Sequence, residues 1–300
     1  MEEIIKLMNK QTILIAGATG NIGGGAAVAL AKRGARVVLL GRYPDKLKAR
    51  VNFVRNALSE AQIDYQDTDI VKLVIDFSDM ESVKHAAAEA MNRFSMINGL
   101  ILSVGVLIQK GPNILPSGHE VMFATNVMGP FLFTQLLLKR MQQSDGLVLH
   151  VIKKSYKEID WEDLESIRNH NTDTAYNRTK TCNLVIAAEL ARRYAGKISS
   201  VAFNPWFIID KSDPELAKRW PSGFMGFVWR VGTALMAKPP AVAGEPIADL
   251  MLSYQDRSAI NGTLFKLDKR IEKPYKAMND EVLGKRLWDE LVLLTGLKAE

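Results

Sequence analysis

Cysteines and metal-binding patterns are nearly absent from this 300-residue sequence. The single cysteine, Cys182, excludes an intrachain disulfide and fits a reducing compartment. None of the histidines stands at a spacing typical of zinc or iron ligands. We therefore expect no metal site and a cytoplasmic protein.

Long apolar runs, blocks of like charge and compositional breaks are also missing. No apolar run reaches the length of a bilayer span, and the first ten residues lack the basic start and apolar core of a signal peptide. The net charge of +6 is scattered, which argues against nucleic-acid binding but is compatible with an anionic cofactor or a membrane surface. Without a linker or repeat, residues 1–300 are expected to form one domain.

A glycine-rich turn is the main feature of the first fifty residues. The apolar residues 13–16 predict a buried strand, and Gly17, Gly20 and Gly23 follow it before a helical pattern over 22–32. Such glycines permit a tight turn, close approach of a pyrophosphate and close helix packing, and the helix start favours phosphate. The turn therefore predicts a dinucleotide site, with a turn that binds no ligand as the alternative. The expected cofactor-binding positions here are Gly17, Thr19, Gly20, Asn21, Ile22 and Gly23.

The ends of the next strands suit an adenosine 2′-phosphate. The second strand, 35–42, ends in Arg42 with no acid nearby, which favours NADP or NADPH over NAD. A solvated surface arginine is the alternative. The third strand ends near Asp76, whose carboxylate is placed to accept the adenine amino group. Further cofactor contacts are expected after the fourth and sixth strands, at Ser103, Gly105 and Pro205.

An almost uniformly apolar helix is predicted over residues 117–141, with Asn126 inside it. Pro130 has no N–H, so the Asn126 carbonyl four residues earlier loses its helical partner. A buried carbonyl needs a water or another donor. We expect such a site at Asn126, with a plain proline kink as the alternative.

Tyr176 and Lys180 are four residues apart in a predicted helix capped by Thr172 or Asp173, and they share one face. A nearby ammonium favours the phenolate and lowers the tyrosine pKa from its usual value of ~10. The pair is thus a candidate general acid/base for a carbonyl or alcohol. An exposed surface pair is the alternative.

An aromatic segment, 206–240, interrupts the alternation of strands and helices. It predicts two short helices broken by Pro221, Gly223 and Gly226. A lid over an apolar substrate is favoured. A peripheral membrane contact through 206–230 and a subunit contact are the alternatives.

The order of these motifs resembles the short-chain dehydrogenase/reductase family, in particular its retinol-dehydrogenase-like branch. The resemblance runs from residue 11 to 298 and includes the AGATGNIG loop, the IDWEDL segment, the YNRTK motif and the closing RLWDELVLLTGL. It implies an α/β, Rossmann-like doubly wound parallel sheet of about seven strands with helices on both faces. Residues 262–268 are expected to be the seventh, edge strand. A homo-oligomer is expected, with contacts through 117–141 and 172–195.

The resemblance also implies residue roles. Tyr176 would exchange a proton with the substrate and also contact the cofactor. Lys180 would lower the pKa of Tyr176 and hold the nicotinamide ribose of the cofactor, and Asn126 would retain a water. The family serine falls at Lys153, and either Lys153 or Ser155 is the candidate replacement. Glycine after the sixth strand is replaced by Trp206, which places an indole near the nicotinamide.

Two functions follow from this pattern. The first is an NADP(H)-dependent oxidoreductase acting on an apolar alcohol, aldehyde or ketone. The alternative is a catalytically impaired NADP(H)-binding relative that acts as a sensor or interaction protein.

Overall fold

A single eight-stranded sheet organises the computed structural model, which describes residues 10–153, 156–211, 223–254 and 256–298. The strand order is β3-β2-β1-β4-β5-β6-β7-β8, and β1 to β7 are parallel. The strands are β1 Thr12–Ala16, β2 Arg36–Gly41, β3 Ile70–Val74, β4 Gly99–Leu102, β5 Leu147–Val151, β6 Ser199–Asn204, β7 Leu264–Lys266 and β8 Ile271–Glu272.

Helices cover both faces of this sheet. They are α1 Asn21–Lys32, α2 Pro44–Glu60, α3 Met80–Arg93, α4 Val121–Gln142, α5 Thr172–Arg193, α6 Gly223–Met236, α7 Pro240–Leu252 and α8 Glu281–Thr295. Leu14 and Ala16 of β1 lie in one hydrophobic core, whereas Ile13 and Ile15 lie in the other. Because alternate strand residues face opposite sides, this distribution gives the two covered faces of a doubly wound sheet. The predicted fold class is confirmed.

The far end of the sheet differs from the prediction. β8 pairs antiparallel with β7, so β7 is an inner strand and the sheet has eight strands. A short turn joins the two, with Lys269 at φ +62° and the Lys266 amide donating to the Arg270 carbonyl. The seventh strand predicted within 262–268 is confirmed, but its expected place at the edge of the sheet is wrong. The two-residue edge strand β8 has too little sequence to show periodicity.

The helix predicted over 117–141 begins later, at Val121, and contains a π-helical turn over 124–128. There the Gly129 amide donates to the Ala124 carbonyl, five residues back. The Val121–Gln142 stretch has a mean hydropathy of 1.5, long and apolar enough for a membrane span, but 78% of that window is buried in the protein. Most of its apolar surface is therefore covered within the protein.

The segment expected to hold two broken helices is different in the structure. One helix, α6, runs through Gly226 without a break, so the expected interruption there is wrong. Pro221 lies outside the described residues. A further helix that the sequence patterns did not indicate, α7, starts at Pro240, whose missing N–H is harmless in a first turn.

Helix α7 packs unusually close to α1. A Cβ on Gly25 would lie 2.3 Å from the Pro240 carbonyl oxygen, and one on Gly244 would lie 2.4 Å from the Gly25 oxygen. Backbone therefore meets backbone between these helices, and only glycine fits at either position. Gly25, behind the predicted cofactor turn, thus serves helix packing.

The C-terminal helix α8 covers α4 and α5. The Trp288 ring lies edge-on to Phe131, with centroids 4.9 Å apart, and 6.3 Å from the Tyr194 ring. Leu287 and Leu291 are fully buried beside it. The apolar faces of 117–141 and 172–195, expected at a subunit contact, are therefore largely covered within the chain itself.

Candidate active site

The turn after β1 is packed so closely that side chains are excluded. Gly17 has φ +77°, and a Cβ there would lie 2.8 Å from the Ser103 carbonyl oxygen. A Cβ on Gly23 would lie 2.5 Å from the Gly17 oxygen. Ser103 fixes the turn, because its hydroxyl donates to the Ala16 carbonyl at 2.7 Å. Its contact with a cofactor stays a prediction. The predicted tight turn is present, with its backbone open on one side.

The first turn of α1 faces this opening. Gly20 is the N-cap, no side chain caps the helix, and its first intrahelical bond joins the Gly24 amide to the Gly20 carbonyl at 2.9 Å. The amides of Asn21, Ile22 and Gly23 therefore have no intrahelical acceptor. Three such donors at the positive end of a helix dipole suit a phosphate, so the residues present fit a dinucleotide.

Arg50 of α2 also contacts the turn, although the sequence patterns did not single it out. Its Nη2 donates to the Thr19 carbonyl at 3.0 Å, and its guanidinium occupies the space that a Cβ on Gly24 would fill. Burial lowers the pKa of Arg50, and the Asp210 carboxylate opposes this shift. The contact of Arg50 with the turn depends on how α2 packs there, and a sequence pattern does not show that packing.

Arg42 and Asp76, predicted from strand ends, lie together. Arg42 Nη1 is 3.6 Å from Asp76 Oδ2, while Asp76 Oδ1 accepts from the amide and hydroxyl of Ser78. The Arg42 guanidinium also lies 4.6 Å from the Tyr43 ring centroid and bonds its hydroxyl. The arginine is half exposed, so a phosphate group can reach it from solvent.

Asn126 binds the loop that follows β4. Its Oδ1 accepts from the Val106 amide at 2.8 Å, and its Nδ2 donates to the Val106 carbonyl and the Thr179 hydroxyl. The side chain thereby positions the segment that contains Gly105. A role in retaining water stays a prediction.

Tyr176, Lys180 and Gly105 converge at the carboxyl edge of the sheet. Lys180 Nζ donates to the Val104 carbonyl at 3.2 Å and lies 5.5 Å from the Tyr176 ring centroid. A Cβ on Gly105 would lie 2.9 Å from Lys180 Nζ and 3.8 Å from the Tyr176 hydroxyl oxygen. Helix α5, which carries both side chains, is capped by Asn171 rather than by the expected Thr172 or Asp173.

Burial controls the protonation of this pair. It lowers the pKa of Lys180 to about 8, with a contribution from the charge of Lys153, and it raises the pKa of Tyr176. The expected lowering of the tyrosine pKa is therefore wrong for the protein by itself. Removal from water disfavours the phenolate more than the desolvated lysine favours it.

Lys153 reaches the same place from the end of β5. Its Nζ donates to Asn177 Oδ1 at 3.2 Å and lies 5.6 Å from the Tyr176 ring centroid. Ser155 lies outside the described residues. Lys153 and Lys180 thus both approach one phenol ring.

The turn after β6 carries Pro205 and Trp206. Trp206 has φ +64°, a value that suits the glycine implied by the resemblance, and its side chain is 55% exposed. Its amide donates to Asn204 Oδ1 at 3.2 Å. The indole borders a cavity of about 520 Å³, which is also lined by charged side chains, among them Lys238, Lys266, Asp268 and Glu272.

Metal ligands do not converge in the part of the chain that the structure describes: no three His, Cys, Asp or Glu side chains form a group there. His150 is buried in β5, where burial lowers its pKa to about 3. It is a neutral core residue.

A family model described as short chain dehydrogenase matches residues 11–155. Together with the fold and the relatives described below, this match supports membership of the short-chain dehydrogenase family, an oxidoreductase family that uses NAD(P).

Within the family, the chain is similar to members of the retinol-dehydrogenase-like branch. It is 27% identical to human (Homo sapiens) retinol dehydrogenase 13, over 96% of this chain and 86% of that protein. It is 28% identical to Mus musculus retinol dehydrogenase 14, over 97% of this chain and 87% of that protein.

Solved structures share the fold at low identity. One from Mycobacterium paratuberculosis has a TM-score of 0.70 at 20% identity, covering 96% of this chain and 94% of the other. A short chain dehydrogenase from Shigella flexneri, complexed with NADP, has a TM-score of 0.64 at 20% identity, covering 87% and 98%.

Proposed function

We propose that the protein is an NADP(H)-dependent oxidoreductase that acts on an apolar alcohol, aldehyde or ketone. The convergence of Tyr176, Lys180 and Gly105 beside an open glycine turn carries this proposal. The bound dinucleotide supplies or accepts a hydride. Tyr176 gives its phenol proton to the substrate oxygen during reduction and takes it back during oxidation.

Lys180 has two tasks in this proposal. Its buried ammonium holds the loop after β4 through the Val104 carbonyl, and its charge favours the tyrosinate that remains when Tyr176 gives up its proton. With a pKa of about 8, Lys180 is mostly charged at neutral pH. A substrate oxygen at Tyr176 would therefore meet a positive local field.

The choice of NADP rests on Arg42. The end of β2 offers a half-exposed guanidinium where an acid would bind ribose hydroxyls. The NADP complex of the Shigella flexneri relative supports this choice, since that chain shares the fold.

Replacement of Tyr176 tests the function. NADPH oxidation is followed with a panel of apolar aldehydes and ketones, and Tyr176→Phe is expected to lower turnover at least about 100-fold. NADPH affinity, measured by calorimetry, should stay within about threefold, because the phenol is not a phosphate ligand. Tyr65→Phe, remote from the site, is the matched control.

Two outcomes contradict this function. Turnover that survives in Tyr176→Phe removes the assigned proton donor. Tight NADPH binding with no turnover on any substrate supports the impaired, sensor-like relative instead.

Helix α6 supports a proposal about location. Phe227, Val228, Val231 and Leu235 are exposed and lie on one side of the helix, which has 14 residues. A helix of this length spans only about 21 Å, too short to cross a bilayer. One such face is also small beside the ~800 Å² per partner of a stable dimer. We propose that it lies on an anionic lipid surface, next to the exposed Lys238.

Vesicle sedimentation tests this location. Leu235→Glu is expected to abolish binding to phosphatidylserine-containing vesicles, while Leu293→Glu, equally exposed on α8, should not. Size-exclusion chromatography provides the contrary outcome: a dimer that Leu235→Glu dissociates would assign the face to a second copy.

A further inference from the structure

A chain of hydrogen bonds runs from Asp173 to Lys153. Asn177 Nδ2 donates to Asp173 Oδ2 at 3.0 Å, and Asn177 Oδ1 accepts from Lys153 Nζ at 3.2 Å. Asn177 is buried, with 3% of its surface exposed. Because the carboxylate can only accept, it fixes the amide nitrogen of Asn177 toward itself and turns the amide oxygen toward Lys153. The buried amide of Asn177, held by the exposed Asp173, thus sets the position of the exposed Lys153 ammonium group.

The position that results is beside Tyr176. Lys153 Nζ lies 5.6 Å from the ring centroid and Lys180 Nζ lies 5.5 Å from it. The two ammonium groups repel each other, and the charge of Lys153 contributes to the lowered pKa of Lys180. A lysine with only a structural role would point into solvent and so avoid the repulsion between the two ammonium groups. The network keeps Lys153 in place against this repulsion.

Lys153 has donors to spare. An ammonium carries three N–H groups, and Asn177 accepts one of them. A substrate oxygen within hydrogen-bond distance of the Tyr176 hydroxyl would lie in the region of these unused Lys153 N–H groups. A second donor there is useful, because the oxygen becomes negative before it is protonated.

We propose that Lys153 is a catalytic residue that donates a hydrogen bond to the substrate oxygen, and that Asn177 and Asp173 are its positioning residues. This inference rests on the proposed oxidoreductase function. During reduction, a hydride adds to the carbonyl carbon, and the electron pair of the C=O π bond moves to the oxygen. That oxygen takes the proton of Tyr176, while Lys153 keeps its own proton. The carbonyl compound is reduced and the dinucleotide is oxidised.

Variants of Lys153 provide the first test, with the reactive carbonyl substrate found in the panel. Lys153→Met is expected to lower kcat about 100-fold, as for loss of one oxyanion donor. NADPH affinity should stay within about threefold, which also shows that the variant is folded. Lys153→Arg should retain at least a tenth of wild-type kcat, since it still donates.

Asp173→Ala separates positioning from a merely structural role. It is expected to lower kcat about tenfold when Lys153 is present and to have no further effect in the Lys153→Met background. Such non-additivity is the signature of two residues that act through one interaction. An equal loss in both backgrounds contradicts the positioning role.

The contrary outcomes are distinct. If Tyr176→Phe abolishes turnover but Lys153→Met retains kcat within threefold, the oxidoreductase function stands and the role of Lys153 is wrong. Loss of that turnover in Ser155→Ala would assign the donor to Ser155. A gain of activity in Lys153→Ser would also overturn the inference, and a wild-type protein with no turnover overturns both proposals.

Discussion

Two turns at the same edge of the sheet each contain a residue with positive φ, but they use different residue types there. After β1, the residue with positive φ is Gly17 at +77°, and after β6 it is Trp206 at +64°. At Gly17 the backbone of the neighbouring strand leaves no room for a side chain. At Trp206 a large indole stands more than half exposed. The end proposed to bind the phosphates is built from backbone, and the end proposed to bind the substrate is built from side chains.

The difference reflects what each end must bind. A pyrophosphate is bound by backbone amides and by the positive end of a helix dipole. Every sequence has these groups, provided that the backbone can approach the pyrophosphate closely. A reacting oxygen needs specific donors, and Tyr176 and the lysines beside it are the ones proposed here. Substitution at the first end therefore damages the fold, whereas substitution at the second end changes the chemistry.

The largest effect is expected from Gly17→Ala, which tests the backbone end. Positive φ costs roughly 1–2 kcal/mol for alanine, and the clash with Ser103 adds about as much, so the free energy of unfolding should fall by about 3 kcal/mol. Gly34→Ala is the matched control, since Gly34 has φ +82° with open space around it. Equal losses in urea unfolding of the two variants would contradict the close approach.

Lys180→Met tests the side-chain end through pH. The native pKa of Lys180 is about 8, below the ordinary 10.5, so the native state loses this proton first as pH rises. The wild-type protein should therefore gain about 2 kcal/mol of unfolding free energy between pH 7 and 9.5, relative to Lys180→Met. Parallel urea titrations at the two pH values measure this difference. A constant offset between the two proteins would mean that the lysine is not desolvated.

Arg42→Ala tests whether a side chain also contributes to cofactor binding at the end built from backbone. NADPH affinity should fall about tenfold, the loss of one charge-assisted contact of roughly 1.4 kcal/mol, while NADH affinity stays unchanged. Arg55→Ala, which breaks a surface ion pair with Asp67, is the control. Unchanged NADPH affinity in calorimetry would make Arg42 a surface residue.

The smallest expected effect is a gain of stability. Trp206→Gly should be about 1 kcal/mol more stable than Trp206→Ala, because only glycine adopts positive φ without strain. The alanine variant removes the same indole contacts, so the difference between the variants measures the backbone alone. A glycine variant no more stable than the alanine variant would show that the turn relaxes.

Periodicity and glycine spacing predicted the strand, turn and helix at the start of the chain, and the family resemblance implied the doubly wound sheet. Strand β1 alternates strictly between two cores, and the turn at Gly17 has the conformation that its sequence indicates. The convergence of Tyr176 with Lys180 also follows from helical spacing. The cofactor and substrate contacts of these residues stay predictions.

Features set by tertiary packing could not be read from the sequence. The approach of Arg50 to Thr19 depends on how α2 lies against the turn. The raised pKa of Tyr176 depends on burial, which a spacing of four residues does not reveal. Helix α7 was missed although Gly25 and Gly244 are clear in the sequence, because a glycine does not indicate which backbone it contacts.

The contact between Gly25 and Gly244 has a mechanical consequence. No side chain lies between α1 and α7 at their closest point, so the two backbones are in direct contact. A displacement of one helix therefore displaces the other. The aromatic segment ends at Pro240, where α7 begins. The stretch of chain expected to cover the substrate is thus anchored to the same pair of helices that is expected to hold the phosphates. The positions of substrate and cofactor are therefore expected to change together.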